Sequence, residues 1–572
     1  MFCIIFFLVR TFCGSFFKSV IILKLVFVVV LLGSCSMRQD ADDHKVFRYN
    51  ESANITSLDP AFARNQANIW AVKQLFNGLV QLDNQLQVRP AIAHRWEVSG
   101  DGRTYYFLLR QDVYFHDSPC FPGGKGRRVV ASDVVFSFQR ILDPKTASPG
   151  AWIFRNILVE DGKPHIAAIN DSTIRIRLNE PFPPFTGLLT MHYCSVIPHE
   201  AVTHFGKDFR RNPVGTGPFH FAQWKEGVKL VFLRNDNYFE KDSLGNSLPY
   251  LEAVAITFIA DHQTEFLEFI KGNLDFISGI DASFKDELLT RSGSLNPRYT
   301  ERLNMITMPY LNTEYLAFQI NPSFQNTSNN PLLIREVRQA INYGFDRRKM
   351  MRFLRNNVGT PGVYGFVPPG LPSFDSAAVR GYEYDPAMAR ALLTQAGFPE
   401  GRGLPEITLT TNAAYLDITR YIQFQLNELG FQIRIDVTPP ATLREMVANA
   451  KVPFFRASWI ADYPDAENYL ALFYSGNFTP AGPNYTHFSN AEFDRLYRTA
   501  MLITDDSARF KLYQKMDQLV MNEAPVVVLY YDQVLRFSHR NIHGLEANAL
   551  NLLNLKTVRK TANDYSTLAQ ID

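Results

Sequence analysis

The sequence predicts a mixed α/β fold with several long-range chain connections, and three observations carry that prediction. Runs alternating apolar and polar residues, as half-buried strands do, are interleaved with runs whose apolar residues recur every three to four positions, as in helices. At 572 residues the chain exceeds what one core organises, so two or three domains are expected. No internal repeat, coiled coil or low-complexity tract breaks the pattern.

The first 34 residues read as an export signal and not as part of the fold. Arg10 and Lys18 precede the apolar stretch "SVIILKLVFVVVLLGSC", and no acid occurs before Cys35. The end of that stretch, "LGSC", resembles the lipobox of bacterial lipoproteins, which implies a lipid on Cys35 and a soluble body held at a membrane surface. An uncleaved N-terminal anchor helix is the alternative. Residues 35–44 are then a short polar tether. Loss of the leader removes three cations and takes the formal charge from +2 to −1, with no concentrated basic face to recommend nucleic acid. Cys3 and Cys13 leave with the leader, so Cys120 and Cys194 remain as a candidate disulfide in an exported protein.

In the body, "KVFRYN" is expected to be a strand, and "SLDPAFA" a turn at Asp59-Pro60. In "IWAVKQLFNGLVQLD", Ile69, Val72, Leu75, Phe76 and Leu79 fall at helical spacing, with Gly78 as a helix stop. "HRWEV" and "TYYFLLR" flank Ser-Gly-Asp-Gly as a hairpin. "VVASDVVFSFQRILDP" predicts a helix from about Ser132 to before Pro144, burying Val134, Val135, Phe138 and Ile141. "STIRIRLNEPFPPF" alternates strictly, and the region from "NPVGTGPF" onward reads strand, turn, strand. "NPLLIREVRQAINYGFDRRKMM" is expected to be one amphipathic helix, and "DITRYIQFQLNELGFQIRIDV" a helix passing into a strand across Gly430.

Catalytic signatures are weak. "HEAVTH" spaces its histidines five apart, whereas a zinc-binding helix face needs four, so no metal site is expected. "GGKGRR" and "GTGPF" do not continue as phosphate-binding loops, and no G-x-S-x-G occurs. Acids are abundant, which leaves a carboxylate hydrolase open as a competing class.

Eight stretches in one order then carry a resemblance: "SLDPAFA", "LFNGLVQLD", "PAIAHRWEVSGDGRTYYFLLRQDVYFHD", "SDVVFSFQRILDPKTAS", "PVGTGPFHFAQW", "LRNDNYF", "IREVRQAINYGFDR" and "ASWIADYPDAENYL". Together they resemble the extracytoplasmic peptide-binding proteins of ABC importers, from about Phe47 to beyond Tyr530. The resemblance implies a two-lobed, periplasmic-binding-protein-like α/β fold with a hinge and an extra subdomain inserted in lobe I. Lobe I would comprise residues 45–63, 206–310 and 529–572, the insertion 64–205, and lobe II 311–528, opening on a fresh strand at "EYLAFQIN". It implies a monomeric binding protein without cofactor, taking an extended peptide between closing lobes and serving a permease and its ATPase.

By the same resemblance Asp462 would hold the peptide ammonium, since a desolvated charge needs a charged acceptor. Arg456 would meet the ligand carboxylate, or else pair with a neighbouring acid. Ser458, Trp459 and Ile460 would offer main-chain groups, flanked by Ala461 and Tyr463, with Arg64, Asn65 and Gln66 opposite and Tyr415 as a pocket wall. Asp465 and Glu467 are expected to be solvated loop acids near the start of the next helix. The chain departs from the pattern at Gly150, where an aromatic can stand, and in the insertion "SPCFPGGKGRR"; both bear on pocket length. The same fold with a metal chelate, oligosaccharide or opine as solute is the nearest alternative.

Overall fold

A computed structural model of the chain describes residues 45–281, 283–321 and 330–562. The expected export signal (residues 1–34), Cys35 and the expected tether lie outside the described residues. Among the described residues, eleven strands form one continuous sheet. Its order is Phe219–Lys225, Lys229–Arg234, Ala253–Thr257, Val46–Asn50, Phe276–Ser278, Val526–His539, Leu303–Phe318, Phe454–Ile460, Ile407–Thr411 and Ile433–Val437. Thr360–Pro361 adds a short pairing to Val526–His539.

Two long strands join the halves of this sheet. Leu303–Phe318 has 16 residues, on the order of 50 Å of extended chain, and pairs antiparallel with Val526–His539 over most of that length. The ladder between them shifts register between Pro309 and Thr313. Proline lacks the amide that would continue the pairing there. The strand expected to open near Leu311 therefore begins eight residues earlier, at Leu303, and passes through that point.

Apolar cores sit to either side of this joint. One draws mainly on residues 47–256 and 542–558, with Phe47, Tyr49, Phe107 and Phe138 fully buried. The others on the far side draw mainly on residues 311–531. The first core also contains a four-stranded antiparallel sheet, Ala93–Val98, Thr104–Leu109, Thr173–Arg177 and Ile166–Asn170. The Ser-Gly-Asp-Gly hairpin and the alternation in "STIRIR" are both realised there. The helix Ala131–Leu142 buries Val134, Phe138 and Ile141, while Val135 is only partly covered. The Asp59-Pro60 turn is a short 3-10 helix, Pro60–Phe62, whose Asp59 is gripped by both guanidinium nitrogens of Arg140 at 2.6 and 3.0 Å.

Two helical expectations are corrected. The helix over "IWAVKQLF" is Gln66–Leu75 and stops three residues before Gly78. Its end is stopped by tertiary contact. The "GTGPF" backbone presses on it, Gly217 N–H donating to Leu75 C=O at 2.9 Å. A Cβ on Gly217 would lie 2.4 Å from the Leu75 carbonyl carbon, so these glycines serve close backbone approach. The single helix expected over "IREVRQAINYGFDRRKMM" is two, Arg335–Tyr343 and Arg347–Leu354. Gly344 ends the first where Leu426 leaves no room for a side chain, and Asp346 caps the second by accepting from Lys349 N–H at 3.0 Å.

Cys120 and Cys194 are both free thiols, which corrects the expected disulfide. Cys194 is fully buried, its thiol directed at the Leu188 carbonyl, whereas Cys120 sits in the partly exposed loop. No helix among the described residues is long and apolar enough to cross a membrane.

Candidate functional site

A cavity with about 880 Å³ of empty space opens between the two sets of cores. Arg64, Gln66, Ile69, Trp70 and Lys73 form one wall; Ile460, Ala461 and Asp462 form the opposite one. Thr190, Met191, His192 and Tyr310 complete much of the rest. The first wall is built by the helix Gln66–Leu75, in which Gln66, Ile69, Trp70 and Lys73 stand at i, i+3, i+4 and i+7. Asn65 caps that helix by accepting from Asn68 N–H at 2.9 Å, and the Trp70 indole N–H donates to Asn551 C=O at 2.7 Å.

The opposite wall follows the end of the strand Phe454–Ile460, which pairs antiparallel with Leu303–Phe318. Ala461 N–H extends that pairing to Leu311 C=O at 2.9 Å and sets Asp462 at the cavity edge. Asn468 then fixes the turn. Its side-chain oxygen accepts from both the Trp459 indole N–H at 2.9 Å and Asp462 N–H at 3.2 Å. The Asp462 carboxylate faces cavity solvent yet is crowded by protein on its other sides, and that desolvation raises its pKa above the ordinary aspartate value. Among the described residues its side-chain partner is the Asn468 amide at 3.4 Å, and no cation lies within ion-pair distance.

Three of the expected ligand residues thus meet across the cavity from distant parts of the chain: Arg64, Gln66 and Asp462, with Ile460 and Ala461 beside the last. Ser458 is exposed on the strand, Trp459 is turned onto Asn468, and Asn65 is a helix cap; none of the three lines the cavity. Tyr463 is corrected from a ligand contact to a core residue. It is 3% exposed, its hydroxyl donates to Glu467, and its ring lies 6.4 Å from Trp152. The expectation of solvated acids is corrected as well. Glu467 is fully buried, accepting from the hydroxyls of Tyr463 and Tyr497, and opens the short helix Glu467–Leu470. Asp465 is ion-paired to Arg509 at 3.3 Å and accepts from Glu467 N–H.

Arg456 resolves toward the second of its two readings. It is 8% exposed, ion-paired to the buried Glu314, and its guanidinium carbon lies 3.1 Å from the centre of the Tyr415 ring. Burial raises the Glu314 pKa, while Arg456 pulls it back down. Arg355 and Asp532 pair alongside at 2.8 Å. These groups form a polar bridge, buried at Arg456 and Glu314 and part-buried at Arg355 and Asp532, beside the register shift and not a wall of the cavity.

Sequence reasoning missed Lys73, Trp70, His192 and Asn468. The first two were detectable, because they share a helical face with Gln66. The "HEAVTH" helix, His199–Phe205, begins after Pro198 as a surface helix. His199 and Glu200 come near Asp133, but the Arg127 guanidinium already bridges Asp133 and Glu200 at 2.6 Å each.

Comparisons with known proteins agree with this architecture. Residues 87–480 match the family model described as bacterial extracellular solute-binding proteins, family 5 Middle. The dipeptide-binding protein DppE of Bacillus subtilis is 25% identical over 539 residues, covering 90% of this chain and 92% of its own. Heme-binding protein A of Haemophilus influenzae is 28% identical over 470 residues, covering 79% and 81%. The structure of the periplasmic binding protein DppA from Helicobacter pylori with the peptide STSA superposes with a TM-score of 0.72 at 25% identity. It covers 90% of this chain and 98% of that one.

Proposed function

Since the chain belongs to the bacterial extracellular solute-binding proteins of family 5, the two-lobed binding proteins of ABC importers and not enzymes, we propose that its solute is a short peptide. The peptide lies between the lobes with its α-ammonium on Asp462. One observation carries this reading: the Asp462 carboxylate stands at the wall of the interlobe cavity with the Asn468 amide as its side-chain partner and no ion-pair partner among the described residues. An ammonium drawn out of water needs a charged acceptor, and among the described residues this is the sole acid on the cavity wall.

The exposed end of the strand at Ser458 to Ile460 supports main-chain pairing with an extended ligand. The register shift between Pro309 and Thr313 is the hinge of this reading, with lobe II running from about 311 to 528 and residues 64–205 inserted in lobe I. The protein works as a monomer, tethered by lipid on Cys35, and hands its ligand to the permease. DppE and the STSA-bound DppA carry peptides by their names, whereas heme-binding protein A does not, so the solute must be read from the site.

Native mass spectrometry of the freshly purified full chain tests the solute class. The expected result is a ladder of released masses that fragment as short peptides. A released solute that does not fragment as a peptide would overturn the proposal.

A further inference from the structure

Charge in the cavity is out of balance. Among the described residues Asp462 is its single acidic wall residue, yet Arg64 and Lys73 both line it. Neither cation has an ion-pair partner among the described residues. Lys73 is partly buried and donates one N–H to Thr190 C=O at 2.7 Å, which leaves two ammonium donors unused.

Its surroundings do not neutralise it. His192 is held neutral, its pKa pushed down to about 3 by burial and by Lys73 itself. Cys194 stays a thiol because burial raises its pKa. Lys556 lies close enough to repel Lys73 and is itself paired with Glu240. Burial and that repulsion lower the Lys73 pKa to about 8, so it remains mostly charged near neutral pH.

A zwitterionic peptide would match Asp462 with its ammonium and one of the two cations with its carboxylate. One cation would then remain unmatched on closure, and Lys73, the less exposed of the two, is the one that loses most water. Lys73 also lines an adjoining second pocket, with Leu82 and Leu552 shared between the two. That pocket gives a ligand side chain room at the lysine.

We propose that the cavity selects acidic short peptides, with a side-chain carboxylate on Lys73, the terminal carboxylate on Arg64 and the ammonium on Asp462. This rests on the peptide reading above and names the peptide class. Lys73 is then the specificity-determining residue of the site.

Calorimetry on the ligand-stripped full chain, with Glu-Ala and Ala-Glu against Gln-Ala and Ala-Gln, tests it. Each pair differs only by carboxylate against amide. At least one glutamyl peptide should bind tenfold or more tighter than its amide counterpart. That ratio should fall to within twofold in Lys73→Met and persist in Lys73→Arg. Equal binding of the paired peptides in the unaltered protein would overturn the acidic selectivity while leaving the peptide reading standing. Binding of none of the four would instead count against the peptide reading itself, and this inference would fall with it. If Lys73→Met does not fold, the ratio in the unaltered protein decides alone.

Discussion

Asp462 and Asp517 are both held above the ordinary aspartate range by burial, but their surroundings give them different work. Asp462 faces a cavity where a ligand cation can relieve it. Asp517 is enclosed, accepting from the Phe366 and Val367 N–H groups at 2.7 and 3.2 Å, and its pKa is pushed up to about 7. A folded-state pKa above the unfolded value means that the folded chain binds the extra proton. This contribution to stability is full below about pH 4 and is lost as pH rises through 7, a change on the order of 4 kcal/mol. Glu51, raised to about 8 by burial and the Glu265 charge, acts in the same direction. The thermal unfolding midpoint should therefore fall between pH 4.5 and 7.5, and fall less steeply in Asp517→Asn; identical slopes would refute the assignment. At this scale the local motif singled out Asp462, which the structure sets at the cavity wall. It did not reveal that Tyr463 and Glu467 are buried, or that Arg456 is paired. Those outcomes depend on Tyr497 and Glu314, residues 30 and 142 positions away.

Elements were legible wherever hydrophobic period and punctuation agree. The hairpin at Ser-Gly-Asp-Gly, the helix Ala131–Leu142 and the passage across Gly430, whose φ is +96°, all follow from local pattern. Boundaries set by a distant backbone were not legible. The helix Gln66–Leu75 ends where the Gly215–Gly217 segment docks, and periodicity alone carries it past that point. Gly217→Ala should therefore destabilise the fold by about 1–3 kcal/mol, as overpacking does, since its Cβ would meet Gln74 and Leu75 backbone within 2.5 Å. Gly100→Ala, with nothing within 4 Å of the added Cβ, should leave the unfolding midpoint unchanged. Equal midpoints for the two variants would contradict this role for "GTGPF". The same helix carries Lys73 into the cavity, so its docking positions the binding wall as well as the core.

For the whole molecule, the fold class follows from interleaved periodicities, and the two-lobed arrangement from ordered motifs. The strand pair that joins the lobes is less evident in sequence. Leu303–Phe318 is half exposed over its first part and buried over its second, so its alternation changes midway and reads as a new strand. In the proposed function this pair is the axis about which two lobes close on a peptide, with Asp462 as the acceptor for its amino end. Calorimetry of one short peptide with a free or an N-acetylated amino end tests that claim most directly, in the unaltered chain and in Asp462→Asn. A hundredfold or greater loss on acetylation is expected in the unaltered chain, and little further loss in the variant. Equal affinity for the free and acetylated peptides would contradict it.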